Sequence, residues 1–413
     1  MKHIQRKTER RIAAALRLAL VAVLLLLQIA LVIALAQVLR QKMYIGYSVL
    51  EIIAVLCVVR IYMRPGSSTY KPGWIVLIML VPVVGLILYF LWNGNQVKKK
   101  LDLKPIPMPP ETEEVKRRSE SAQENLSARW PRWGRLAAYL RRQDMPLFEN
   151  TDMTYFPTGE EYLEDLLERL KTARRFIFLE YYIASEGEIW DRICTVLTER
   201  AAAGVEVNLI LDDFGSMMTM PPEEIGALRK RGVWVQMFNP VHRYVNRLYF
   251  NYRDHRKIAV IDGDIAYTGG ANLADEYANL IVRFGYWKDC GIRLEGEGAW
   301  GLTRQFMYLW LRMGGELRES WDSYRPRTAP EGGEFCQPLV DGPDNNPVNT
   351  AEDTFQQLIS NANRYIWITT PYLAIDEPMI RTLCIAADSG VDVRLMLPGI
   401  PDHKFAYMVA LSY

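Results

Sequence analysis

A histidine and a lysine two residues apart stand just before a short apolar run, in the stretch YRDHRKIAVIDGDIAYTGGAN at residues 252–272. On an extended strand the side chains of His255 and Lys257 point to the same face. An imidazole can be a nucleophile or a general acid or base near neutral pH, and a lysine beside it can neutralise charge on non-bridging phosphate oxygens. The pair predicts phosphoryl or phosphatidyl transfer that needs no metal and no other cofactor. Taken alone, His255 is more typical of a polar surface residue or a satisfied core residue than of a catalytic one, and only the spacing of the whole motif favours catalysis.

The residues after the pair predict a hairpin and a phosphate-binding loop. Asp262 and Gly263 predict a tight turn between the apolar run and a second short strand at 265–268. Gly269 and Gly270 then open a loop in which the backbone can approach a ligand closely, and Asn272 is placed to cap a following helix. Because free N–H groups near a helix start bind anions, we expect this loop to hold a phosphate beside the histidine.

Upstream, helix and strand patterns alternate as in an α/β sandwich with a largely buried sheet. The predicted elements are a helix at 159–172, a strand at 176–183, a helix at 189–203 and a strand at 205–212. Glu180 lies in the middle of the first strand, where a buried carboxylate requires a polar partner. Asp212 ends the second strand. Both are candidates to orient site residues, although a loop cap is an equally good interpretation of Asp212.

Arginines alternate with aromatic residues between the second strand and the histidine. Such a mixture could seat a lipid headgroup or a nucleic-acid backbone, and a plain surface loop is the alternative. The residues are Arg243, Tyr244, Arg247, Tyr249, Phe250, Tyr252, Arg253 and Arg256. The chain has 49 basic and 48 acidic residues, so its charge gives no general attraction to nucleic acid. We therefore expect a phospholipid headgroup, with Arg253 as a possible supporting residue.

The first hundred residues carry the signature of a membrane region. Residues 18–39, 44–63 and 74–92 are each apolar over a length that, as a helix at about 1.5 Å per residue, crosses a bilayer core of about 30 Å. A cleaved signal peptide competes for the first segment, and Pro82 with Gly85 could fold the third into a hairpin. Basic clusters at both ends of the region favour the cytoplasmic side, which three full spans cannot satisfy. We predict two or three segments in a transmembrane region at 1–97.

The remaining chain divides into a linker and two halves. Residues 98–142 are polar, rich in proline and charge, and predict a linker that ends in a short helix. Residues 143–330 form the first half. Residues 331–413 repeat its strand–helix–strand pattern at an offset of about 190 residues, which would place a second H-x-K near residue 445, beyond Tyr413. His403 and Lys404 are adjacent and are not counted as catalytic, so we expect a C-terminally truncated chain of little activity.

The five cysteines lie far apart in the sequence, with no C-x-x-C spacing. They are Cys57, Cys194, Cys290, Cys336 and Cys384. This spacing is typical of isolated reduced thiols, and it indicates neither a zinc site nor a disulfide framework.

Several motifs together resemble bacterial cardiolipin synthases of the phospholipase D superfamily. They are HRKIAVIDGDIAYTGGAN at 255–272, FLEYYI, YWKD, the apolar stretch 74–94, and TTPYL through LPGIPDHK. The order H-x-K, four residues, D, six residues, G-G-x-N is that of the superfamily, with Gly270 where many members carry serine. The resemblance implies transmembrane helices followed by a phospholipase D-like α/β sandwich, the first repeat complete and the second partial, in a multi-pass protein of the bacterial cell membrane.

In that family two H-x-K motifs meet at one site, where one histidine attacks phosphatidylglycerol to form a phosphatidyl-histidine and the other moves the proton. The resemblance implies that His255 is catalytic, that Lys257 and Asn272 hold phosphate oxygens, and that Asp262 supports the histidine. Two other hypotheses stay open. One is a phospholipase or phosphodiesterase formed by a dimer of single-motif chains, and the other is an inactive protein that binds anionic lipid. The oligomeric state is open as well.

Overall fold

The computed structural model describes residues 44–63, 71–92, 103–241, 252–330, 332–342 and 349–413, with isolated positions at 26, 30, 33 and 34. These residues fall into two compact units. The first unit contains the described residues before position 100. The second contains those from 103 onward.

The first unit consists of three apolar helices, α1 (Tyr44–Met63), α2 (Lys71–Leu80) and α3 (Pro82–Trp92). The segment predicted at 74–92 is therefore broken at Pro82, because a proline has no N–H to continue the helix. A Cβ on Gly85 would lie 2.6 Å from the Cα of Ile78, so the two helices approach closely at the glycine. Within this part of the chain no helix is both long and apolar enough to cross a membrane. The segment 18–39 lies almost wholly outside the described residues.

The second unit is built on a mixed sheet of eight strands in the described residues, in the order β4-β3-β2-β5-β6-β7-β1-β8. The strands are β1 (Phe148–Phe156), β2 (Phe176–Tyr181), β3 (Glu206–Asp212), β4 (Trp234–Phe238), β5 (Ile258–Ile261), β6 (Ile265–Gly269), β7 (Gly291–Gly296) and β8 (Glu334–Cys336). Strands β2, β3 and β4 run parallel, and the other neighbours are antiparallel. The predicted α/β class is confirmed.

Helices cover both faces of this sheet. They are α4 (Glu113–Arg129), α5 (Pro131–Arg142), α6 (Gly159–Lys171), α7 (Glu188–Ala202), α8 (Asp213–Ser216), α9 (Pro222–Lys230) and α10 (Ala299–Arg312). Helix α6 starts where predicted because the Thr158 side chain accepts a hydrogen bond from the N–H of Glu161. Helices α6 and α7 bury their leucine and isoleucine stripes on one face. On the other face the rings of Phe178 (β2) and Phe306 (α10) stack with centroids 4.6 Å apart.

The second half repeats the helix–strand pattern on a smaller scale. Its elements are α11 (Thr350–Asn361), β9 (Tyr365–Thr369), α12 (Glu377–Asp388), β10 (Asp392–Met396) and α13 (Lys404–Ala410). Strands β9 and β10 pair in parallel as β2 and β3 do. The predicted boundary at 331 is displaced, because β8 pairs with β1 and so belongs to the first sheet.

The described part of the predicted linker, residues 103–142, is not a solvated connector. Helices α4 and α5 bury Leu126 and Leu140, and the hydroxyl of Ser119 accepts a hydrogen bond from the N–H of Leu147 next to β1. Just before α4, the buried carboxylate of Glu111 lies 3.1 Å from the guanidinium of Arg304 in α10 and 3.0 Å from the indole nitrogen of Trp300. The segment is thus an integral part of the second unit. The polar composition of the segment predicted a linker because only a few of its residues contact the core.

We predict that Glu111→Ala lowers the free energy of unfolding by about 3–5 kcal/mol, because it leaves the fully buried Arg304 without one of its two carboxylate partners. Glu114→Ala is the matched control, since Glu114 is an exposed partner of Arg118 and its loss should cost less than about 1 kcal/mol. Urea unfolding in detergent measures both. Equal small losses would mean that residues 103–142 are not part of the folded unit.

Candidate active site

The histidine–lysine pair lies at the edge of the sheet where β2 and β3 end. Strand β5 runs antiparallel to β2 with Ile258 opposite Glu180, so the residues before β5 lie beside the end of β2. Strand β3 runs parallel to β2 and brings Asp212 to the same edge. Three predicted site residues, His255, Lys257 and Asp212, therefore meet here. Asp212 lies 43 positions before His255 in the sequence.

The side chains of His255 and Lys257 are in contact, as predicted for one face. The lysine ammonium donates to the backbone carbonyl of His255 at 2.7 Å and lies 3.3 Å from the imidazole Nδ1. Lys257 is buried, whereas His255 remains exposed. The ring of Tyr182 borders both, with its centroid 4.7 Å from that of the imidazole and 5.5 Å from the ammonium. Tyr182 was not singled out in the sequence; its position directly after β2 was the available signal.

The surroundings shift the protonation of the pair. Burial lowers the pKa of Lys257 to about 8, against the opposing effect of the Asp254, Asp289 and Asp212 charges. Partial burial and the charge of Lys257 lower the pKa of His255 to about 4, and the Asp254 charge opposes the decrease. At neutral pH the imidazole is uncharged and has a lone pair to offer, while the ammonium is mostly charged. An exposed neutral nucleophile next to a held cation suits attack on a phosphate ester.

Glu180 has the polar partner that its burial requires. Its carboxylate lies 2.7 Å from the Nε of Arg256, and the same Nε donates to the carboxylate of Asp254 at 2.8 Å. Asp254 is buried and was not predicted. Its signal was the alternation Asp254–His255–Arg256–Lys257, in which the first and third residues face away from the second and fourth. Glu180 and Asp254 thus hold Arg256 on the side of the strand opposite to the imidazole.

Asp212 caps the helix after β3 and also orients the segment that carries His255. One carboxylate oxygen accepts from the N–H of Gly215 at 2.9 Å and caps α8, and the other accepts from the N–H of Asp254 at 2.9 Å. The guanidinium of Arg253 lies 3.4 Å away. Burial raises the pKa of Asp212 to about 6, and the Arg253 charge opposes the rise. The carboxylate therefore fixes the backbone directly before His255.

Asp262 lies at the far end of β5, and its carboxylate does not contact the imidazole. Instead it accepts hydrogen bonds from the N–H groups of Arg174, Arg175 and Phe176 at 2.7–3.0 Å. The turn is formed as predicted, with Asp262 and Gly263 at φ values of 56° and 81°. The expectation that Asp262 supports the histidine directly is thus corrected, because the strand separates them. The aspartate anchors the start of β2 to the end of β5.

In the predicted phosphate loop the glycines and the asparagine make contacts within the protein. Gly269 belongs to β6, and the N–H of Gly270 donates to the carbonyl of Cys290 at 3.1 Å, so it is not free for an anion. A Cβ on Gly270 would lie 2.3 Å from the Asp289 carboxylate, which explains the glycine. Asn272 is not a helix cap. Its buried amide accepts from the N–H of Ile183 at 3.0 Å and donates to the hydroxyl of Tyr277 at 2.7 Å.

Asp289 is a further acidic residue near the pair that the sequence analysis did not assign. Its carboxylate accepts from the N–H of Cys290 at 2.8 Å and from the indole of Trp287 at 3.2 Å. Burial raises its pKa, and the charge of Lys257 opposes the rise. The arginine–aromatic stretch at 242–251 lies outside the described residues. Among the described residues, no cluster of three or more His, Cys, Asp and Glu side chains has the arrangement of metal ligands.

The fold and the histidine–lysine geometry define a protein of the phospholipase D type. The family model "Cardiolipin synthase, PLD-like domain" matches residues 166–281 and 355–412, and the model "Phospholipase_D-nuclease N-terminal" matches residues 52–93. The major cardiolipin synthase of Bacillus subtilis is 30% identical over 89% of this chain and 77% of its own length. The cardiolipin synthase of Oceanobacillus iheyensis is 30% identical over 86% and 74%. The chain belongs to the cardiolipin synthase family of the phospholipase D superfamily.

An uncharacterized protein of Streptococcus mutans is 34% identical over 82% of this chain and 74% of its own length. Among solved structures, the phosphatidylserine synthase of Haemophilus influenzae is 13% identical, with a TM-score of 0.44 over 68% of this chain and 66% of that one.

We predict that the imidazole of His255 titrates near pH 4 and stays neutral from pH 6 to 8. Removing the neighbouring charge in Lys257→Met should raise this midpoint, while burial keeps it below the ordinary value of about 6.5. The four histidines of the chain make NMR of histidine-labelled protein practical, with His255→Gln to assign the signal. A midpoint at or above about 6.5 in the unmodified chain would contradict the geometry.

For Asp262 we predict a role in stability and none in phosphate binding. Asp262→Ala leaves three backbone donors without their acceptor and should lower the free energy of unfolding by about 2 kcal/mol. Asp262→Asn keeps one acceptor oxygen and tolerates the positive φ, so it should lose less. Urea unfolding gives the stability, and titration calorimetry with inorganic phosphate gives the affinity. A large loss of phosphate affinity in the folded Asn variant would contradict this prediction.

Proposed function

We propose that the chain is a phosphatidyltransferase that moves a phosphatidyl group between two phosphatidylglycerols to give cardiolipin and glycerol. The observation that carries the proposal is the exposed, neutral His255 beside the buried cation Lys257. Membership of a family that includes proteins named cardiolipin synthases supports the choice of substrate.

The proposed reaction has two displacements at phosphorus. An imidazole nitrogen of His255 attacks the phosphorus of the first phosphatidylglycerol, a nitrogen–phosphorus bond forms, and the bond to the glycerol oxygen breaks as that oxygen takes up a proton. A hydroxyl of the second phosphatidylglycerol then gives up its proton and attacks the phosphorus, which releases the histidine. Lys257 neutralises charge on the non-bridging oxygens in both steps. Arg253 is the other nearby cation, and Asp212 and Glu180 act as positioning residues.

Some of the predicted phosphate ligands have less support. The side-chain amide of Asn272 is already engaged with Ile183 and Tyr277, and the Gly270 N–H is bonded to Cys290. We therefore assign phosphate binding chiefly to Lys257. The 413 residues contain one H-x-K motif, so a second histidine for proton transfer would come from residues outside them or from a second copy.

We place the reaction at the bacterial cell membrane, because both proposed substrates are bilayer lipids. Residues 1–97 would hold the chain there, and residues 143–413 would carry the two phospholipase D-like parts. The basic residues at the N-terminus and at positions 98–100 favour the cytoplasmic side for the catalytic unit.

A hydrolytic function is the second candidate, favoured by the single H-x-K motif. In that case two chains would pair their motifs, and water would replace the second phosphatidylglycerol. The first displacement at His255 is the same, so the products distinguish the two functions. Cardiolipin indicates transfer, and phosphatidic acid indicates hydrolysis.

The test mixes the chain in detergent with phosphatidylglycerol labelled at phosphorus and quenches the mixture with denaturing detergent at alkaline pH, because a nitrogen–phosphorus bond survives in base and hydrolyses in acid. We expect covalent label that His255→Ala abolishes, that Lys257→Ala lowers by about a hundred- to a thousandfold in rate, and that His3→Ala leaves unchanged. Chasing the labelled chain with unlabelled phosphatidylglycerol should give cardiolipin. Label on the His255→Ala chain, or no label on the unmodified chain at any concentration, would overturn the proposal, and the latter would favour a protein that only binds lipid.

A further inference from the structure

The second half contributes a carboxylate whose surroundings the proposed chemistry does not yet use. Asp402 lies in the loop between β10 and α13, directly before the His403–Lys404 pair. The hydroxyl of Tyr372, which follows β9, donates to one oxygen of Asp402, and the N–H of His403 donates to the other at 2.8 Å. The ring of His403 lies 5.9 Å from that of Tyr372. Only 17% of the Asp402 side chain is exposed.

Electrostatic interactions and one packing contact connect this group to residues of the first half around the histidine site. Burial is the main cause that raises the pKa of Tyr372, and its hydrogen bond to Asp402 is the second. The charges of Tyr277 and Tyr182 raise this pKa further. The Asp402 charge in turn helps to raise the pKa of Tyr277. Ile400, in the same loop, lies 3.1 Å from where a Cβ on Gly285 would be, so the loop packs against the first half. Tyr182 contacts His255, and Tyr277 is bonded to Asn272.

The chemistry of this carboxylate selects among possible ligands. A carboxylate has about four lone-pair positions, and two are occupied here, so two hydrogen-bond donors can still be accepted. Its negative charge disfavours an anionic phosphate. The proposed reaction already places the cations Lys257 and Arg253 beside the substrate, and these disfavour a ligand ammonium. What remains is a neutral group with two adjacent donors, and a vicinal diol has this arrangement.

We propose that Asp402, oriented by Tyr372, binds the vicinal hydroxyls of a glycerol headgroup while Lys257 holds the phosphate. The inference rests on the proposed function, because it assumes that phosphate binds at His255 and Lys257. It assigns the diol selectivity to the second half of the chain and the phosphorus chemistry to the first. Asp402 is then a binding residue and Tyr372 a positioning residue.

The test measures binding of small head-group probes to the full chain in detergent, so that it does not depend on turnover. The probes are inorganic phosphate, glycerol 1-phosphate, propyl phosphate, which lacks the diol, and phosphoethanolamine. We expect glycerol 1-phosphate to bind about tenfold more tightly than propyl phosphate, as two hydrogen bonds to a charged group allow. Asp402→Asn and Asp402→Ala should reduce the preference to about twofold or less, and Tyr372→Phe should reduce it in part.

Inorganic phosphate separates this inference from the proposal on which it rests. Its affinity should not fall in the Asp402 and Tyr372 variants, which also shows that they are folded, and should fall in Lys257→Ala. If the unmodified chain binds inorganic phosphate through Lys257 but does not prefer glycerol 1-phosphate, or prefers phosphoethanolamine, the diol assignment is wrong while the proposed function stands. If it does not bind inorganic phosphate, or if Lys257→Ala binds it as well as the unmodified chain, both fail. A preference that survives in a folded Asp402→Ala chain also overturns the assignment.

Discussion

The site depends on one hydrogen bond between a buried carboxylate and the backbone. Asp212 ends β3 and accepts the N–H of Asp254, and this bond fixes the residue before His255 at the sheet edge. A backbone donor held by a buried charge cannot move without leaving both groups unsatisfied, which costs more than the bond itself contributes. Because Asp212 also caps α8, the position of the histidine is tied to the main sheet and to the helix that follows β3.

Buried charges around this bond define the orientation of the motif. Arg256 bridges Glu180 and Asp254 behind the strand, while Lys257 faces the imidazole. Removing one partner from such a group leaves an uncompensated buried charge, so the members hold one another in place. The same low-dielectric surroundings keep His255 neutral and make the Lys257 proton easier to lose. The features that make the segment rigid are therefore also those that prepare it for chemistry at phosphorus.

The two halves of the second unit contribute to the site in different ways. The first half supplies the histidine–lysine pair on a fully buried sheet, where every residue of β2, β3 and β5 is covered. In the second half the loops after β9 and β10 carry Tyr372 and Asp402, and Tyr372 interacts electrostatically with Tyr182 and Tyr277. A repeated fold can thus carry different chemistry in each copy, since the loops at the strand ends differ while the strands keep the same pattern.

The sequence determined the α/β class, the helix at Gly159, the hairpin turn at Asp262 and the pairing of His255 with Lys257, because each rests on contacts or periodicities within a few residues. It also indicated that Glu180 needs a polar partner, although not which one. Only the tertiary structure decided that the Asn272 side chain is hydrogen-bonded to Ile183 and Tyr277 and that Gly270 makes room for Asp289. It also decided that Asp262 anchors the start of β2 and that Tyr182 borders His255. Most of these contacts join residues from elements that are distant in the chain. The others depend on how the sheet positions the loops. Local patterns carry no information about which elements the sheet brings side by side.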